Sequence, residues 1–82
     1  MSISEELIII LKNNIDELED MEIDENTELI SGGFIESFDI IGLITVFEDA
    51  FGVELSLEDL KLEQFNTVKS IAEIISEAPR KG

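Results

Sequence analysis

Residues 33–55 read Gly33-Phe34-Ile35-Glu36-Ser37-Phe38-Asp39-Ile40-Ile41-Gly42-Leu43-Ile44-Thr45-Val46-Phe47-Glu48-Asp49-Ala50-Phe51-Gly52-Val53-Glu54-Leu55. The spacing predicts a helix from about Ser37 to Phe51. At about 100° per residue, Ile40, Leu43, Ile44, Phe47 and Phe51 fall on one face, the one expected to meet the core. Phe38, Ile41, Thr45 and Glu48 form a second stripe about a third of a turn away. Either Phe38 and Ile41 widen the core stripe, or, lying beside acids, they form a docking surface. Gly52 fits a left-handed helix stop, and Val53-Glu54-Leu55 a short extended link.

Ser37 stands where the loop becomes the helix. A helix start presents backbone N–H groups without partners and a partial positive charge, and the two together favour a phosphate. A serine there serves either as an ordinary cap or as the attachment point of a phosphate-linked group.

Upstream, Ser2 and Glu5 fit a capping box. Ile3, Leu7, Ile10, Leu11 and Leu18 then recur at helical spacing, so a first helix should start near Ser2 and fade between Asn13 and Leu18. Residues 19–36 read as a long loop. Its acids repel one another, Gly32-Gly33 breaks any local helix, and Ile23, Leu29, Phe34 and Ile35 are the expected anchors. Downstream, Ser56 with Asp59 predicts a short third helix carrying Leu57 and Leu60. Asn66 or Thr67 then caps a last helix whose core face is Val68, Ile71, Ala72 and Ile75, ended by Pro79. The expected fold is all-α: a four-helix bundle with a long first loop and a short third helix.

Eighty-two residues without cysteine make one small domain that no disulfide supports. Such a chain buries about 60–65% of its unfolded surface. The net charge is −15. Lys12 and Lys61 bracket a stretch free of Lys and Arg that holds 15 of the 20 acids. The remaining five acids match the five bases, so the whole excess lies in the segment containing Ser37. This field repels nucleic acid and anionic membranes and attracts basic protein surfaces. The apolar run Leu7–Leu11 is too short for a membrane span or a signal core, so stable membrane insertion is not expected and a cytoplasmic location is.

Histidine is also absent, so neither the usual neutral-pH base nor a thiolate is available. Acids on an exposed surface are mostly solvated rather than poised for proton transfer. The expectation is a protein that is not an enzyme. A calcium loop fails in both registers. Starting at Asp20 puts Glu25 at the glycine position and Ser31 at the bidentate one, while starting at Asp24 puts Leu29 and Ile35 there. No metal ligand is assigned, and only weak divalent binding by the cluster Asp16–Glu28 is expected.

The stretch 33–55 resembles the central part of acyl carrier proteins, whose motif is of the Gly-x-x-Asp-Ser-Leu type. Glu36-Ser37-Phe38 stands in the Asp-Ser-Leu place, and Glu48 to Leu55 match the helix end with its Phe-Gly and extended dipeptide. Glu28-Leu29 and Phe65-Asn66-Thr67-Val68 extend the likeness over nearly the whole chain. The resemblance implies a single carrier domain over 1–78 with a tail at 79–82. It implies covalent 4′-phosphopantetheine on Ser37, which would hold acyl groups as thioesters and raise their effective concentration at partner active sites. Implied partners of this monomer are a phosphopantetheinyl transferase and acyl-processing enzymes with basic docking patches. By position Glu36, Asp39, Glu48 and Asp49 would supply charge, and Phe38, Ile41 and Thr45 apolar contact, in transient, salt-sensitive complexes.

Three positions depart from the family pattern. Glu36 replaces Asp, Phe38 replaces the commonest Leu, and Gly42 lies inside the helix at a cost of about 1 kcal/mol against Ala. The Phe38 variant resembles some D-alanyl and secondary-metabolite carriers. The implied pathway is therefore fatty acid, polyketide or related biosynthesis, with a D-alanyl or aminoacyl/peptidyl carrier as the alternative. A third reading is an unmodified acidic helical adaptor in which Ser37 is only a cap, worth about 1 kcal/mol.

Overall fold

The computed structural model describes residues 2–56 and 60–80. Helix α1 spans Ile3–Asn14. Its start is the expected capping box: the Glu5 N–H donates to Ser2 Oγ at 3.1 Å and the Ser2 N–H to Glu5 Oε1 at 3.4 Å. Ile15 leaves helical geometry, and a single 3-10 turn, Asp16–Leu18, follows. Leu7, Leu11 and Leu18 are buried, Ile3 and Ile10 half-buried, and Ile9 exposed.

Helix α2 spans Ser37–Phe51, the extent that periodicity predicts. Ile40, Leu43, Ile44 and Phe47 are buried and Phe51 half-buried. Gly52 ends the helix at φ 65°, ψ 39°, a conformation that a residue with a Cβ adopts only under strain. Its N–H donates to the Glu48 carbonyl at 2.9 Å. The extended link after it pairs with the end of the chain: Val53 and Arg80 form an isolated antiparallel bridge, and the Glu54 N–H donates to the Pro79 carbonyl at 2.8 Å.

Helix α3 spans Val68–Glu77 and packs on α1. Of the two residues proposed for its cap, Thr67 has the role: its Oγ1 accepts the Ser70 N–H at 3.2 Å. Val68, Ile71 and Ile75 are buried and Ala72 half-buried. A 3-10 turn, Leu62–Phe65, precedes α3 and inserts Phe65 into the core. The described residues therefore contain three α-helices and two 3-10 turns, not the four helices expected. The expected short helix carrying Leu57 and Leu60 falls mostly on residues 57–59, which lie outside the described ones.

The long loop is tied down rather than trailing. Ile23, Leu29 and Ile35 belong to the same buried cluster as the helices, and Phe34 packs against it. Backbone bonds hold the loop to the start of α3. The Lys69 N–H donates to the Glu25 carbonyl at 3.1 Å, and the Leu29 N–H to the Asn66 carbonyl at 2.6 Å. At Gly32 the chain turns so tightly that a Cβ would overlap the Glu28 carbonyl oxygen and press on the Phe34 ring. The radius of gyration, 11.7 Å, is what an 82-residue chain has with its loops folded in. No helix among the described residues is long and apolar enough to cross a membrane.

Candidate functional site

Ser37 is the first residue of α2, and Glu36 is the N-cap. The helix start closes on itself through Asp39: the Glu36 N–H donates to Asp39 Oδ2 at 3.0 Å, and the Asp39 N–H to the Glu36 carbonyl at 2.9 Å. Two of the orphan donors are thereby used. Among the described residues, the N–H groups of Ser37 and Phe38 find no acceptor, and the Ser37 hydroxyl makes no hydrogen bond. The Ser37 side chain is exposed. It is an accessible alcohol at the positive end of a four-turn helix, beside two uncommitted amides.

The surroundings are acidic. Glu36 and Asp39 line an open cleft with Asn14, Ile15, Asp16, Glu17, Gly33 and Phe34. The end of α1 and the start of α2 thus bring together two acid blocks that lie twenty residues apart. Among the described residues, no group of three or more carboxylates is placed to hold a metal ion. The site offers no base of ordinary neutral-pH strength, so Ser37 has no activating partner of its own.

The residues expected to meet partners divide into two groups. Phe38 is 81% exposed and Ile41 57% exposed, and Thr45 is exposed as well. Phe38 and Ile41 therefore do not widen the core stripe; they stand outside it. The acids are less available than their positions imply. Asp39 is half-buried and accepts the Glu36 N–H, and Glu48 is half-buried with Oε2 accepting the Leu55 N–H at 3.0 Å. Glu36 and Asp49 are exposed on the first and last turns of α2.

One residue that matters for the site has a role the sequence does not announce. Asn66 Oδ1 accepts the N–H groups of Ile30 at 2.8 Å and Ser31 at 2.9 Å, and its Nδ2 donates to Ser31 Oγ at 3.1 Å. Asn66 thereby fixes the loop that delivers Gly33 to Glu36 to the start of α2. Its position beside Thr67 marks it only as a cap candidate, because its partners lie 35 and 36 residues away.

The exposed alcohol, the two free amides and the absence of any internal partner fit a phosphate-linked prosthetic group. No curated protein matches the chain. Residues 9–75 match the family model described as a phosphopantetheine attachment site. In this family 4′-phosphopantetheine is attached covalently to a serine, and the domains are carriers, generally non-catalytic, that interact with transferases and processing enzymes. The match spans the long loop and all of α2, leaving outside it only the first turns of α1 and the end of the chain, and the protein belongs to this family of phosphopantetheine-dependent carriers.

Proposed function

We propose that Ser37 carries 4′-phosphopantetheine and that the chain works as an acyl carrier protein in fatty acid, polyketide or related biosynthesis. The observation that carries the reading is the unpartnered, exposed Ser37 hydroxyl on the first turn of α2, inside the matched region. When attached, the group supplies the thiol that this cysteine-free chain lacks, and with it thioester chemistry.

The chain's own residues position and do not catalyse. Ser37 Oγ would attack the phosphorus of coenzyme A that bears the pantetheine arm; the pyrophosphate P–O bond breaks and adenosine 3′,5′-bisphosphate leaves. The Ser37 proton must pass to a base on the transferase, because the chain has no histidine and the nearby Asp39 carboxylate is engaged by the Glu36 N–H. The amides of Ser37 and Phe38 and the helix dipole offset the remaining phosphodiester charge. The acids of the adjoining cleft oppose the approach of anionic coenzyme A, so the transferase has to bring cationic groups. Glu36 and Asp49 supply the charged edge of the partner surface, with Asp39 and Glu48 behind them, and Phe38, Ile41 and Thr45 its apolar part. Loading from coenzyme A, an intracellular metabolite, supports a cytoplasmic location, and we take the carrier to act there as a monomer.

One observation favours a second cargo. Phe38, an exposed ring beside the attachment serine, is the residue by which the chain resembles some D-alanyl and secondary-metabolite carriers. The purified chain is incubated with coenzyme A and a broad-range phosphopantetheinyl transferase. The expected outcome is a mass gain that maps to Ser37, and no gain overturns the assignment. Mass spectrometry of the chain from its own cells then separates an acyl from an aminoacyl cargo.

A further inference from the structure

Four acids line the cleft beside Ser37: Asp16 and Glu17 from the turn after α1, Glu36 and Asp39 from the start of α2. Asp16, Glu17 and Glu36 are exposed, and Asp39 is half-buried. A carboxylate drawn partly out of water among like charges needs a compensating donor. Asp39 has one in the Glu36 N–H, which its Oδ2 accepts at 3.0 Å, and the Asp39 N–H returns a bond to the Glu36 carbonyl at 2.9 Å. The two bonds close a ring around Ser37 and Phe38. Ser37 therefore lies inside the turn that Asp39 holds shut, while its own hydroxyl takes no part in holding it.

An acid whose task is to meet a partner's cation gains nothing by folding back onto its own backbone. Each oxygen used inside the chain is one fewer for the partner. Resting on the assignment of Ser37 above, we propose that Asp39 is a positioning residue for loading. Through the Glu36 N–H it keeps the first turn of α2 closed, so that Ser37 Oγ faces the incoming phosphorus in one fixed direction. Helix ends with unsatisfied amides fray. With the Glu36 N–H released, Ser37 samples many directions, and attack loses the alignment that lowers its barrier. What the reaction uses at position 39 is the oxygen acceptor and not the negative charge.

The test compares wild type, Asp39→Ala and Asp39→Asn in a loading assay with coenzyme A and a broad-range phosphopantetheinyl transferase, with hydrogen exchange at the Glu36 amide measured on each. Both substitutions remove the charge, and asparagine alone keeps an acceptor oxygen. Asp39→Ala is expected to expose the Glu36 amide and lower kcat by about tenfold. Asp39→Asn is expected to protect that amide again and restore most of kcat. Any rise in KM from the lost charge should be shared by the two. An Asp39→Asn protein with a protected Glu36 amide and kcat as low as that of Asp39→Ala overturns the proposal, because charge is then what loading requires. So does wild-type kcat in Asp39→Ala. The asparagine variant decides the matter even where the alanine variant fails to fold. If wild type itself gains no mass, the Ser37 assignment is what fails, and exchange at Glu36 still reports separately whether Asp39 holds the turn.

Discussion

Asn66 Oδ1 accepts the backbone N–H of Ile30 at 2.8 Å, across 36 positions of sequence. The same oxygen takes the Ser31 N–H at 2.9 Å, and the Asn66 carbonyl takes the Leu29 N–H. Three successive amides of an eighteen-residue loop are thereby satisfied by one residue, just before α3 begins. The loop carries the most acid-rich part of the chain and has little regular structure, so these bonds and the burial of Ile23, Leu29 and Ile35 hold it. The start of α2, and with it Ser37, is placed by that clamp.

Asn66→Ala removes the acceptor for two backbone donors. The expected loss is about 1–3 kcal/mol, read as a lower urea midpoint with an unchanged m-value. Amide exchange at Ile30 and Ser31 should speed up more than exchange in α1. Unchanged protection at both amides would show that the clamp contributes nothing.

Ser37→Ala separates the attachment site from a structural cap. Glu36 occupies the N-cap position and the Ser37 hydroxyl makes no hydrogen bond, so the change should alter stability by less than about 0.5 kcal/mol. The adaptor reading, with Ser37 as the cap, expects a loss of about 1 kcal/mol. Equilibrium unfolding distinguishes the two, and mass analysis of the same variant should show no loading.

Gly32→Ala should be destabilising by about 1–3 kcal/mol, because the new Cβ would overlap the Glu28 carbonyl oxygen and crowd the Phe34 ring. The opposite sign is expected at Gly42, where the space is open. A melt of each variant decides whether both glycines are understood.

Phe47→Ala should cost about 3–5 kcal/mol, as the ring is fully buried in the apolar core. A domain of this size has a total stability of only about 4–12 kcal/mol. The variant should therefore show a weakened or lost thermal transition by circular dichroism, and a retained wild-type Tm would contradict the packing described.

Screening should stabilise the chain. A net charge of −15 on 82 residues repels itself, and eight acids lie between Asp16 and Glu28. Raising sodium chloride to about 0.5 M shortens the screening length to a few ångströms and should raise Tm. Magnesium and calcium should act alike. A calcium-selective rise would instead point to an ordered ion site among the loop acids.

The extent of α2 was legible in the sequence because its signals are local: a serine where the loop becomes a helix, a regular apolar period, and a glycine free to turn left-handed at position 52. The loop anchors Ile23, Leu29 and Ile35 were legible as apolar residues among acids, and the capping box of α1 as a four-residue pattern. Tertiary structure decided the rest. Whether Phe38 and Ile41 join the core depends on how α2 is rotated against its neighbours, and the helical period fixes the face without fixing its edges. The backbone bond of Glu48 to Leu55 and the clamp made by Asn66 depend on which polar atoms meet once the chain is packed. Hydrogen bonds act over about 3 Å in space and are blind to separation along the chain, so a residue whose partners lie 36 positions away carries no mark of its role in its neighbours.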